Sequence, residues 1–143
     1  MSDLFLIEES IKVRIAEQLP EIRAIYSIRD IGKVSVASLQ TPCVVVSFDG
    51  DTVNYDRFNG DQFILEQSWS VNLIFPSKYT IAEIGNAGVL MGDVLRVLSG
   101  WVPNGGSGKM KRRNASPVHI GEVYSEYNQV FTCDVLANQT DVN

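Results

Sequence analysis

The chain has 143 residues, 45% of them hydrophobic and 20% charged, and a formal net charge of −5 at pH 7. That length allows a well-buried core in a single domain, residues 1–143, and that composition excludes disorder of the chain as a whole. The acidic balance excludes a dedicated nucleic-acid binder, which carries a basic footprint over its surface.

Residues 3–19 are expected to form a helix. Ser2 or Asp3 is placed to cap it, Glu8 and Glu9 lie near its positive end, and Leu4, Ile7, Ile11, Ile15 and Leu19 form one apolar stripe. Pro20 ends it. AIYSIRDI reads as a strand at about 24–31, broken by Gly32, and residues 33–41 read either as a short strand or as a connecting turn. The β-branched run CVVVSF is a buried strand at about 43–48, followed by a turn at Asp49-Gly50-Asp51.

QFILEQSWSVNLIF alternates strictly. Phe63, Leu65, Gln67, Trp69, Val71, Leu73 and Phe75 share one face, the pattern of a strand with one side buried. Its connection to the preceding strand around Tyr55–Asp61 predicts an antiparallel hairpin. A second helix is expected at about 81–99, with a Thr80/Glu83 capping box, a terminating Gly100 and an inward stripe of Ile81, Ile84, Gly88, Met91, Leu95 and Leu98. Gly85, Gly88 and Gly92 within it suggest close approach to a sheet or another helix. Residues 103–117 read as a flexible basic loop, VHIGEVYSEYNQVFTCDVL as one or two strands, and 138–143 as a frayed tail. The resulting fold class is α+β, a mostly antiparallel sheet of about four to five strands packed against two helices.

Few residues here suit chemistry. Two cysteines, Cys43 and Cys133, lie far apart in apolar runs and are expected as buried reduced thiols rather than a disulfide framework. His119 is the sole histidine, and no nucleophile or orienting carboxylate can be assigned to it. One histidine and two distant cysteines fall short of a tetrahedral zinc site. DGDTVNYDRFNGD departs from a calcium loop, because Val53 replaces the third ligand and Gly50 is misplaced. GGSGK departs from a phosphate-binding loop, with Pro103 at its first glycine position and Met110 after Lys109. The expectation is a protein with no catalytic, metal or cofactor site. The first residues lack the basic and apolar regions of a signal peptide, and no run of apolar residues is long enough to span a bilayer, so an intracellular, soluble chain is expected.

One feature exceeds background. Lys109, Lys111, Arg112 and Arg113 concentrate positive charge on an otherwise acidic chain, beside Trp101, which can anchor the loop or be buried. Such a segment is either a solvated loop or one that orders against an acidic partner surface or a passing phosphate backbone.

The order of segments (a helix ending LPEIRAIYSI, then TPCVVVSFDGD, a long strand ending SVNLIFP, a helix ending VLSGWVPNG and a final EVYSEYNQVFTCDVL) resembles the tail terminator (minor tail) proteins of long-tailed bacteriophages, notably those of Mu-like phages. The similarity spans about residues 3–137 and rests on segment order rather than on one motif. It implies a structural, non-enzymatic virion protein without cofactors. Such a protein would form a homo-hexameric ring that caps the head-proximal end of the tail tube, stops tube polymerisation and offers the joining surface for the head or neck. The partners implied are further copies of itself, the tail tube protein and a neck or head-completion protein, with non-specific contact to DNA in the lumen and none to a membrane. Its place would be the virion tail, after assembly in the host bacterial cytoplasm. A different head–tail joining subunit or a protein-binding adaptor is the alternative.

Overall fold

The computed structural model describes residues 5–31, 39–57, 62–77 and 81–138. The elements run α1 (Leu6–Gln18), β1 (Ala24–Ser27), α2 (Ile28–Ile31), β2 (Cys43–Arg57), β3 (Gln62–Pro76), α3 (Ile81–Leu98), β4 (Lys111–Ala115), β5 (His119–Ile120) and β6 (Tyr124–Asn138). Six strands form one sheet in the order β1-β2-β3-β6-β4, with β5 pairing a separate stretch of β6. Every pairing is antiparallel except β1 with β2. This is the expected α+β, mostly antiparallel class, with one strand and one short helix more than expected.

Helix α1 forms on its apolar spacing. Ile7, Ile11 and Ile15 are buried on one side, and Leu19, just beyond the helix, joins them. The helix starts at Leu6, later than expected; Phe5 takes the capping position and makes no side-chain cap bond. Ser2 and Asp3 lie outside the described residues. At the other end the Leu19 amide donates to the Ile15 carbonyl at 2.8 Å before Pro20 stops the helix. Glu8, nearly buried, is satisfied by the Arg29 guanidinium at 2.7 Å, which ties α1 to α2.

Strand β1 is shorter than its alternation suggests, since Ile28–Ile31 turn into a single helical turn. The ambiguous stretch 33–41 lies mostly outside the described residues. Strand β2 runs well past the expected turn. Asp49-Gly50-Asp51 sits inside the strand, where a bulge between Phe48 and Gly50 absorbs an extra residue and Gly50 adopts φ +105°. The expected β2–β3 hairpin forms, with strands reaching Arg57 and Gln62. Strand β3 is the centre of the sheet and follows its alternation: Leu65, Gln67, Trp69, Val71, Leu73 and Phe75 are all buried.

One face of the sheet carries the main core, where Val44, Val46, Trp69, Val71, Leu73, Phe131, Cys133 and Val135 meet α1 and α3. Helix α3 seats Ala87, Leu90, Val94, Val97 and Leu98, so the inward stripe expected through Gly88 is rotated. The reason is composition. The helix is apolar nearly all round, so periodicity discriminates poorly among its faces. Gly88 and Gly92 are exposed and an added Cβ would meet nothing within 4 Å, which overturns close approach as their reason. Thr80 lies outside the described residues, and the capping box with it. Gly100, at φ +80°, ends the helix region as expected. No described helix is long and apolar enough to cross a membrane.

The opposite face is mostly polar. A small apolar cluster of Cys43, Val45 and Ile74 lies under α2, with Ile31 and Tyr26 packed against it. Elsewhere Glu66, Ser70, Asn72 and Thr132 occupy this side of β3 and β6.

Cys43 and Cys133 are buried and unbridged, as expected. Burial pushes the Cys43 thiol from 9.0 up to about 11, with the Glu126 carboxylate adding to the effect. Burial likewise raises Cys133 to about 11, reinforced by Asp134 and opposed by a backbone hydrogen bond of Gly108 and the Lys111 charge. Between these values the folded state holds protons that the unfolded state has lost. Stability is therefore full below about pH 9 and falls as pH rises through about 11. Urea melts of Cys43→Ala and Cys133→Ala should show a flatter decline over that window than the parent protein.

Candidate assembly interface

The segment expected as a flexible loop, 103–117, is built onto the sheet. After Gly100 the chain doubles back in a strap closed by two backbone bonds, Gly100 N–H to the Met110 carbonyl (2.8 Å) and Met110 N–H to the Trp101 carbonyl (2.7 Å). The Met110 side chain is buried, 1% exposed, which pins the strap to the core. At its tip the Asn104 amide donates to Ser10 Oγ at 2.9 Å, and the Ser107 amide donates to the Asp134 carbonyl at 2.8 Å. Gly105, at φ +87°, lies so close to α1 that an added Cβ would sit 2.8 Å from Leu6 Cβ. Trp101 is half-buried, with the Arg14 guanidinium 5.4 Å from its ring centroid. It anchors the strap against α1 and is not part of the cationic surface.

From Met110 the chain enters β4, an edge strand paired with β6, with a bulge between Arg112 and Asn114. Residues that read as loop because of their glycines and charges thus become a strand, since β6 supplies a pairing edge that local sequence does not reveal. The bulge splits the four cations. Arg112 donates to the Tyr127 hydroxyl at 3.0 Å. Arg113 turns onto the polar face, where it donates to Thr132 Oγ1 at 2.8 Å and pairs with Glu66 at 3.0 Å. Lys109 and Lys111 are exposed and make no ion pair among the described residues. Both arginines are therefore engaged within the subunit, while both lysines face solvent.

The other side of the sheet has an open edge that sequence reasoning missed. Strand β1 covers β2 only from Cys43 to Val46. Beyond it, among the described residues, no strand pairs the outer side of β2, where Asp49, Asp51, Thr52 and Val53 are exposed. Asp49 accepts a hydrogen bond from Ser70 Oγ. The signal was present as DGD, but it reads as a hairpin tip unless the strand is known to continue. At the end of the sheet near Pro76, Val118, Ile120 and Val123 are exposed around β5 beside the exposed His119. A cleft of about 710 Å³ lies between Pro42, Phe75 and Pro76 on one side and Ala87, Val89 and Leu90 of α3 on the other.

No cluster of three or more metal-ligating side chains occurs among the described residues. What the surface offers is edge strands with unpaired main-chain groups and charges of opposite sign on opposite edges, which suits protein–protein association.

The protein family described as phage tail terminator protein matches residues 1–140. No curated protein sequence shows a significant match. Among solved structures, a chain from the virion of a native gene transfer agent particle superposes with a TM-score of 0.53 at 15% identity, covering 92% of this chain and 98% of that one. That likeness is one of fold.

Proposed function

Because the chain belongs to the phage tail terminator family, we propose that it closes the head-proximal end of a phage tail tube as a homo-hexameric ring. In this reading the ring halts tube polymerisation and presents the joining surface for a neck or head-completion protein. The role is structural and uses no catalysis. The carrying observation is the family match, which extends over nearly the whole chain. Two sheet edges of opposite charge, open among the described residues, support it, because a ring needs heterologous contacts in which different patches of each subunit meet.

Within this proposal the protein is a component of the virion tail, assembled in the host bacterial cytoplasm. Its partners are further copies of itself, the tail tube protein and the neck, with Lys109 the cation best placed for any contact with passing DNA. Arg112 and Arg113, bonded within the subunit, hold β4 in shape.

Native mass spectrometry across a concentration series, with negative-stain images of the same samples, tests the proposal. Six-fold rings are expected, alone or on purified tail tube, and capped tubes should stop elongating. A protein that forms no ring under either condition overturns it. Binding to a portal complex without tube would instead favour another neck subunit.

A further inference from the structure

We infer that β4 of one subunit adds to the open edge of β2 of the next, with Lys111 set beside Asp49, so that the partner of each edge is a second copy of this chain. The inference rests on the ring reading above and supplies its contact.

The strand register carries it. Lys111 lies level with Thr132, Thr132 with Ser68, and Ser68 with Gly50. Asn114 lies level with Val130, Ser70 and Ser47 in the same way. The cationic strand on one edge and the acidic stretch on the other therefore occupy one level of the sheet. The match has limits at the right place. Ala115 is level with Val46 through Gln129 and Val71, and Val46 is where the cover of β1 stops. The part of β2 that β1 leaves open thus begins at Ser47, level with Asn114, one pair short of the end of β4.

Direction agrees as well. Strands β2 and β6 are each antiparallel to β3, and β4 is antiparallel to β6, so β4 runs opposite to β2. A neighbour displaced sideways without being turned over brings its β4 antiparallel to β2 and continues the sheet. In that register Lys111 faces Gly50 on the polar side of the sheet, beside Asp49, whose carboxylate is held on the same side by Ser70. The pairing stops there, because the Met110 amide and carbonyl are already bonded to Trp101 and Gly100, and Asp51, level with buried Gln67, points to the other side. Main-chain bonds supply the association and the Lys111–Asp49 pair favours its register and direction. Like charges would oppose the alternative, β4 on β4 or β2 on β2.

Charge reversal tests this directly. K111E and D49K should each assemble several-fold more weakly than the parent at low salt, while their melting curves stay cooperative. An equimolar mixture should regain rings, since each altered edge then meets its complement. D51K, whose side chain lies on the other side of the sheet, should assemble like the parent, which separates the Lys111–Asp49 contact from a general effect of charge. As an independent readout, S47C/N114C should form covalent oligomers on oxidation, seen as a ladder on a non-reducing gel. Parent rings that tolerate both reversals, or folded variants that fail to complement each other, overturn the edge pairing and leave the ring reading standing. A parent protein that forms no ring, alone or on tube, overturns both.

Discussion

Trp69→Ala should remove a large part of the protein's stability. Trp69 is fully buried at the centre of the sheet, level with Phe48 on β2 and Phe131 on β6. Its ring centroid lies 5.1 Å from that of Phe48, and its indole N–H donates to Gln67 Oε1 at 3.1 Å. Truncating a buried tryptophan costs about 3–5 kcal/mol, through lost transfer energy and the cavity left behind. Domains of this size have only about 5–15 kcal/mol in total. Urea denaturation followed by circular dichroism should give a midpoint lowered by roughly a third to a half with an unchanged slope. Trp69→Phe, which keeps most of the packing, should lose much less. An alanine variant with a near-parental midpoint would mean that the two strands beside β3 do not pack across it as described.

Gly105→Val should have the second-largest effect, and it reaches the assembly surface. At φ +87° a β-branched residue is strained, and its Cβ would overlap Leu6 Cβ at 2.8 Å. Backbone strain and overpacking together cost about 2–5 kcal/mol. Neither side of the clash yields easily, because Leu6 opens α1 and the strap is held at Ser10 and Asp134. The expected response is for the strap to lift, which breaks the Asn104–Ser10 bond and loosens the approach to β4. Hydrogen exchange should quicken at Met110 and Arg112 before it does in β3, and assembly should fall. Exchange that quickens uniformly would show that the strap has no independent role in seating the edge.

Much of this architecture was legible in the sequence wherever a period was strong. The 62–76 alternation located the central strand and its buried face, and the isoleucine stripe located α1 and its inner side. Local reading failed where pairing partners decide. KRRNA has the composition of a loop, and only β6, supplied by a distant part of the chain, makes it a strand. DGD has the composition of a turn, and the bulge at Gly50 lets β2 continue through it. In α3 the apolar residues run round the whole circumference, so the face that packs is chosen by the sheet. Of the proposed interface, the cationic half was visible as a charge run, although two of its four members prove to be engaged inside the subunit. The acidic half was not visible, because Asp49 gains meaning only from its level across three intervening pairings.

The position of β6 in the sheet bears on how the chain comes to fold. Strands β2 and β3 are contiguous enough to zip as a hairpin within microseconds. Their other neighbour, β6, arrives only after α3, the strap, β4 and β5 have been made, and its register with β3 joins Gln62 to Asn138 and Pro76 to Tyr124. Pairings of such separation carry a large loop-closure entropy and slow the rate-limiting step. Until then the nascent hairpin presents one bare edge of β3 and an uncovered apolar face, which makes it a target for chaperones and for misassociation. The same order has a protective side. Strand β4 is held by β6, so a chain interrupted before β6 is made has no organised cationic edge, and under the proposed pairing truncated products would lack the contact that joins subunits.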